Sequence, residues 1–349
     1  MMAKPTLRDV AERSGFSITT VSHVLNDVPG KRIPSATRDR VRAAATELAY
    51  RPNRLAQGLR LQRSNTLGFV SDKIATTPYA GEVILGAQDA AAEHGNLLLL
   101  MNSDRDPGLE EREIRALQER QVDGIIFASE YHRVITPPDA LRGTPAVLLD
   151  ARSVDGDVSS VVPDEVGGAQ AAVRELIGAG HQRIAFLNNV DDIPATHLRR
   201  QGFRQGLNEA GRRLRAGMVT AAASTPGAGF EAARQLLDQP RATRPTALFC
   251  FNDRMAMGVY QAVTELGLRI PDDLSVVGFD NQELIAANLR PGLTTVALPH
   301  YAMGQWAVTA LLDLIDSQGV SSQGQQPIRE EKLSCPLVRR ASVGPPPRS

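Results

Sequence analysis

Carboxylate and amide side chains recur in this sequence directly after apolar runs of strand length: Ser71-Asp72, Ser129-Glu130, Asp150, Asn188-Asn189, Asn252-Asp253 and Asp280-Asn281. Such groups suit a neutral polyhydroxylated ligand, because each hydroxyl can donate to a carboxylate oxygen while accepting from an amide or guanidinium N–H. The same positions are also where helix caps and turn formers stand after strands. Asn252, directly before a helical pattern, fits either role.

The elements that must position these groups follow from periodicity. Apolar runs at 67–70, 97–101, 124–127 and 146–149 alternate with helical patterns near 80–95 and 109–121. A second series has strands near 183–187, 217–221, 246–250 and 274–278, with helices between them. Alternation of this kind predicts α/β architecture: two similar lobes, each a mostly parallel sheet covered by helices on both faces. In open parallel sheets ligands bind beyond the carboxyl ends of the strands, which is where the polar residues above fall.

The composition fits a folded chain of two or three domains. Its 349 residues are 42% hydrophobic and 22% charged, which excludes disordered, collagen-like and coiled-coil classes. No stretch has the roughly 18 uninterrupted apolar residues of a membrane helix, and no apolar signal-peptide core follows the first basic residue. A cytoplasmic protein without membrane contact is expected. The two cysteines, Cys250 and Cys335, suggest neither a disulfide framework nor a zinc site. No metal or cofactor is expected. The net charge of zero hides an asymmetry: residues 1–63 hold 12 Lys or Arg against 5 Asp or Glu, a net of +7, which leaves −7 for the rest. A basic head on an acidic body suits approach of one end to a polyanion.

That head reads as three short helices. Thr6 caps a first helix over 7–13 with Leu7, Val10 and Ala11 on one face, and Ser14-Gly15-Phe16 breaks it. Ser17 caps a second, in which Val21, Val24 and Leu25 share one face while Thr19, Ser22, His23 and Asn26 share the other. A third starts at Ser35 or Thr37 and runs to about Tyr50, with Val41, Ala44, Ala45 and Leu48 buried. Two short helices joined by a tight Gly-containing turn can place the second in the DNA major groove, and that use requires a polar outer face.

The run TLRDVAERSGFSITTVSHVLN at 6–26 resembles, nearly position for position, the DNA-binding head of the LacI family of bacterial transcription regulators. The resemblance continues through TRDRV at 37–41 and ELAYRPNRLAQ at 47–57. It implies DNA contacts from Thr6, Ser17, Ile18, Thr19, Ser22, His23, Asn26 and Arg38. It also implies a hinge helix, begun by Pro52 and Asn53, that orders only on the operator, with Arg54, Ala56 and Leu59 at its minor-groove face. Leu59 matches a wedge residue that kinks DNA, with Arg51, Arg54, Arg60 and Arg63 around it; the alternative makes Leu55 and Leu59 packing residues of a linker helix. Two departures stand out. His23 replaces the family's usual Arg, so a single hydrogen bond replaces a bidentate guanine contact. The turn PGKRIP at 29–34 is longer than usual, and its Lys31 and Arg32 suit either phosphates or water.

The body resembles the family's periplasmic-sugar-binding-like sensor over almost its whole length. FCFNDRMAMG at 249–258 and SVVGFDN at 275–281 match its cleft motifs. By that correspondence Asp280 holds ligand hydroxyls, Asn252 and Asp253 line the far wall, and Arg199 is the central hydrogen-bonding cation. Asp72 and Tyr79 match first-lobe cleft positions, Tyr79 being either a stacking ring or a surface aromatic. Asp150 completes the set, and His300, in TTVALPHYAMG at 294–304, is a pocket residue or a first-turn helix residue.

The expected organisation is a helix-turn-helix head at 1–52, a hinge helix and linker at 53–64, a first lobe at 65–162 plus 294–320, a second lobe at 163–293 plus 321–341, and a flexible tail at 342–349. No terminal leucine heptad follows, which points to a homodimer rather than a tetramer. The function expected is an operator-binding repressor released when a sugar or related effector closes the cleft. A corepressor-dependent regulator of the same family is the alternative within the class. A solute-binding protein without a DNA role is disfavoured by the basic head. An enzyme is not expected: there is no P-loop, no GxSxG, no HExxH and no GxGxxG after a strand, and the six histidines are scattered.

Overall fold

The computed structural model describes residues 5–26, 30–50, 63–74, 77, 81–318 and 327–347. The chain divides into two units, 1–65 and 66–349. In the first, α1 (Leu7–Ser14), α2 (Ile18–Leu25) and α3 (Ser35–Glu47) enclose a small core of Val10, Ala11, Val21, Val24, Val41, Ala44 and Ala45. Thr6 begins α1 with a capping box: its backbone N–H donates to the Asp9 carboxylate at 2.7 Å, and its hydroxyl accepts from the Asp9 N–H at 3.4 Å. Gly15, at φ +76°, ends α1 in the left-handed conformation that glycine adopts without steric cost, and its N–H donates to the Ala11 carbonyl. Ser17 then caps α2, accepting from the Thr20 N–H at 3.1 Å.

The second unit is two α/β lobes. Lobe 1 contains β1 (Thr66–Ser71), α4 (Gly81–Glu93), β2 (Leu97–Asn102), α5 (Pro107–Glu119), β3 (Gly124–Ile135), β4 (Ala146–Ser153) and β5 (Ser160–Pro163). Lobe 2 contains α6 (Glu165–Gly178), β6 (Ile184–Asn189), α7 (Pro194–Glu209), β7 (Val219–Ala222), α8 (Pro226–Leu237), β8 (Ala247–Cys250), α9 (Asp253–Glu265), β9 (Ser275–Asp280), α10 (Glu283–Ala286) and β10 (Thr294–Ala297). The chain then returns to lobe 1 for α11 (His300–Gln318) and β11 (Glu330–Leu333), and ends in lobe 2 with β12 (Leu337–Val338).

The sheet orders are β11-β5-β4-β3-β1-β2 and β12-β10-β9-β8-β6-β7, parallel throughout except for β12 on β10. Stacked rings of Phe186, Phe203 and Phe249 fill the second core, with centroids 4.6 Å apart for Phe186 and Phe249. Two glycines bring α4 against α11: a Cβ on Gly86 would collide with the Tyr301 carbonyl, and one on Gly304 with that of Val83.

Three expectations about the organisation of the chain need correction. Strand β10, expected in lobe 1, pairs with β9 of lobe 2, with Thr295 opposite Gly278. Strand β11, expected to finish lobe 2, pairs with β5 of lobe 1, with Glu331 opposite Val161. The expected flexible tail is docked through 344: Ser342 is fully buried and donates to the Val276 carbonyl at 2.6 Å, and Gly344 N–H donates to Ser275. Buried His181 holds the same strand, its Nε2 lying 2.9 Å from the Gly344 carbonyl.

Candidate functional site

In the head, the exposed start of α2 presents Ser17, Ile18 and Thr19, and Ile18 is 48% exposed despite its apolar side chain. Ser22, His23 and Asn26 are half-buried. Asn26 Nδ2 donates to the Ser22 carbonyl at 2.8 Å, closing the end of the helix. Arg38 tethers the turn before α3, donating to the carbonyls of Ile33 at 3.3 Å and Lys31 at 3.5 Å. Asn53, Arg54, Ala56 and Leu59 lie outside the described residues, as does Tyr79.

In the second unit a cleft of about 570 Å³ lies between the carboxyl ends of the two sheets. In a larger hollow of about 1170 Å³, between the 136–146 segment and α11, the charged lining residues Arg142, Asp155, Asp157 and Arg329 are all exposed. The cleft's centre is Arg199, on α7 and 3% exposed. Its Nε donates to Glu165 Oε2 at 2.6 Å and its Nη2 to Glu165 Oε1 at 3.3 Å, while its Nη1 donates to the Phe251 carbonyl and to Asp280 Oδ1 at 3.4 Å. The guanidinium carbon lies 3.7 Å from the Phe279 ring centroid and 4.4 Å from that of Phe251. Gly202 permits this arrangement, since a Cβ there would strike the Val166 carbonyl and hold α7 off α6. Burial alone would lower the Arg199 pKa, but Glu165 and Asp280 outweigh it and raise it, so the group stays charged. Burial raises the Glu165 and Asp280 carboxyls, against the pull of Arg199.

Asp280, the last residue of β9, and Asp150, inside β4 where its pairing with β3 shifts register, have positive φ, +100° and +52°. Side chains in that region are strained, and such strain concentrates at functional sites where the surrounding fold holds it in place. Asp150 is 5% exposed, and its Oδ1 is buried without a hydrogen-bond partner. Burial, then the charge of Glu165, pushes its carboxyl well above the usual range. His132, also 5% exposed and on the same cleft, has an unpartnered Nδ1. Burial, with Arg152 and Lys332 nearby, lowers it to about 4, so its ring is neutral near pH 7.

Arg199, Asp150, Asp280, Asn252 and His300 therefore meet in one cleft. Asn252 combines both roles open to it, lining the cleft while its Oδ1 accepts from Met255 N–H at 2.9 Å to cap α9. His300 likewise lines the cleft as the first residue of α11. Asp253 does not: its carboxylate is fully buried behind the cleft, accepting from Thr295 Oγ1 at 2.6 Å and from Gln282 N–H at 2.7 Å. At the first residue of a helix the side chain points back along α9, toward the β9–β10 connections. Asp72 is also displaced from the cavity wall. It accepts from the N–H groups of Lys73 and Glu130 at 2.7 and 2.8 Å, and lies 3.5 and 3.4 Å from Arg105 and Arg133. Arg105, Tyr131, His132, Glu165 and Arg254 line the cleft and were not singled out from the sequence. Glu165 follows β5 by two residues, so the same after-strand rule would have found it had that four-residue strand been recognised.

Comparison with known proteins decides what carries this cleft. Residues 6–53 match the model for bacterial regulatory proteins of the lacI family, and residues 173–343 match that for a periplasmic binding protein-like domain. The ribose operon repressor of Escherichia coli (strain K12) is 34% identical over 334 residues, covering 95% of this chain and 99% of the relative. The chain belongs to the lacI family. It is a DNA-binding transcription regulator with an effector-binding core. Among solved structures, the lac repressor dimer bound to operator and an anti-inducer matches with a TM-score of 0.75 and 28% identity, over 98% of this chain and 100% of that one. A LacI family regulator from Enterococcus faecium with bound ribose matches with a TM-score of 0.64 and 27% identity, over 80% and 99%. The lacI-family match at 6–53 takes in all three helices of the head. Among the described residues no helix is long and apolar enough to cross a membrane.

Proposed function

We propose that this regulator represses transcription in the cytoplasm as a homodimer on a pseudo-palindromic operator, and that a sugar or sugar-like effector bound at Arg199, Asp150, Asp280, Asn252 and His300 releases it. The observation that carries this reading is a buried guanidinium–carboxylate centre at the mouth of two sheets, in a chain that also bears a helix-turn-helix head. Ribose in the Enterococcus faecium structure supports a sugar at this cleft, and the lac repressor dimer on its operator supports a two-fold complex. Exposed Leu85, Leu97 and Leu100 in lobe 1 and Leu284 in lobe 2, the last 81% exposed, supply apolar surface for pairing. In the head, Ile18, Thr19, Ser22 and His23 are the base-reading candidates, with Thr6, Ser17, Asn26 and Arg38 shaping the surface that approaches phosphates.

Binding without turnover fits the disposition of the carboxylates. Glu165 and Asp280 are held on Arg199, and Asp253 is turned toward Thr295, so these three carboxylates are engaged by the protein itself. The test is the anisotropy of a labelled operator fragment bound by the protein, titrated with D-ribose and other free sugars. The reading predicts release by at least one of them with the sugar recovered unchanged. Conversion of the sugar to a product would overturn the non-catalytic part.

A further inference from the structure

The effector reading can be taken further, to the charge of the molecule that fits. We infer that the cleft is built for an effector with no anionic group, an unphosphorylated polyhydroxylated molecule, and that His132 and Asp150 are its hydroxyl partners. This rests on the effector role proposed above.

The charged side chains lining the cleft are Glu130, Asp150, Glu165, Asp191 and Asp280 against Lys73, Arg105, Arg199 and Arg254, five acidic to four basic. Most of the positive charge is already committed. Arg199 has all three nitrogens engaged by Glu165, Asp280 and the Phe251 carbonyl. Arg105 is paired with Glu130 and Asp72. Lys73 lies 3.2 Å from Asp104. Two helix N-termini at the cleft, ordinarily good anion sites, carry their own caps, Asp164 on α6 and Asn252 on α9. A phosphate brought here would be desolvated beside three buried carboxylates, with the Arg199 and Arg105 guanidiniums already held by carboxylates and Arg254 the other guanidinium on the wall.

The wall also holds two buried atoms of acceptor type that have no hydrogen-bond partner. Asp150 Oδ1 and His132 Nδ1 are buried in residues each 5% exposed, in the one cleft. A hydroxyl satisfies both kinds of atom, donating to a carboxylate oxygen and pairing with a neutral imidazole nitrogen. An unmade hydrogen bond at a buried polar atom is costly, so a ligand that completes two of them gains affinity and selectivity together. His132 is neutral and offers a phosphate no charge.

The test uses the full-length protein. A bacterial metabolite extract is split on a strong anion exchanger, and each fraction is added in a thermal melt. The unretained fraction is expected to raise the midpoint and the retained fraction to leave it in place. A rise with the retained fraction overturns the inference. D-ribose against D-ribose 5-phosphate, and D-glucose against D-glucose 6-phosphate, read the same contrast in defined compounds, and a phosphate ester binding as tightly as its free sugar also overturns it. No rise with either fraction removes the effector reading and this inference with it, and binding of genomic operator fragments in the same sample shows whether the DNA-binding part stands. His132→Asn is expected to raise the half-saturating amount of the unretained fraction at least tenfold, and an unchanged value removes His132 from the contact set.

Discussion

Arg199 illustrates how one residue can organise a ligand site before any ligand arrives. Its charge is buried between two aromatic rings and offset by Glu165 and Asp280, so the guanidinium is held in one position with its charge compensated. Removing one partner of such a buried pair leaves the other charge uncompensated, which costs about 3–5 kcal/mol. Glu165→Leu and Arg199→Met are each expected to lower the urea midpoint accordingly, and the double variant to lose less than the sum of the two, with Asp280 still left without its cation. Single losses below about 1 kcal/mol would mean the pair is not the structural centre of the cleft. His132 makes a second residue-level prediction. Its folded-state pKa of about 4 lies below the ordinary histidine value of 6.5, so its contribution to stability is present above about 6.5 and is lost as pH falls through about 4. The full effect is about 3 kcal/mol at most. Melting curves between pH 7.5 and 4.5 should fall more steeply for the wild-type protein than for His132→Asn, and parallel curves would contradict the assignment.

At the scale of elements, close helix packing sets the frame of lobe 1. Helices α4 and α11 touch through Gly86 and Gly304, where any Cβ meets a facing carbonyl. Gly86→Val is expected to destabilise the core unit by about 1–3 kcal/mol through overpacking, read as a lower thermal midpoint. A midpoint equal to wild type would show that the two helices separate freely. The long apolar strands and the capped helices of the head were legible in the sequence because they have strong periodicity and punctuation. Three four-residue strands were not. β5, β10 and β11 are short and each sits beside a lobe crossover, where the βαβ alternation that marks the other strands is broken, so the chain's second and third passages between lobes were misplaced. At the site, Asp150, Arg199 and Asp280 were found, while Glu165 was hidden with β5. Asp253 was misassigned because the direction of a side chain at a helix start cannot be read from its position after a strand. The docked tail was also hidden: Pro345 to Pro347 reads as flexible, yet Ser342 upstream is fixed by backbone partners 66 residues away.

At the scale of the whole molecule, the sequence separates charge by function. A head of net +7 precedes a body of net −7, so the end that meets DNA is attracted to phosphates while the sensor core is repelled. Selectivity must then come from the α2 face and from pairing of two chains rather than from charge alone. The most direct test of this account is selection of host genomic fragments by the purified full-length protein, at physiological salt with excess nonspecific competitor, followed by sequencing. Salt and competitor suppress the charge-driven background. The account predicts enrichment of a pseudo-palindrome with two half-sites, bound by a dimer. Fragments recovered in proportion to their abundance, with and without a metabolite extract present, would contradict it.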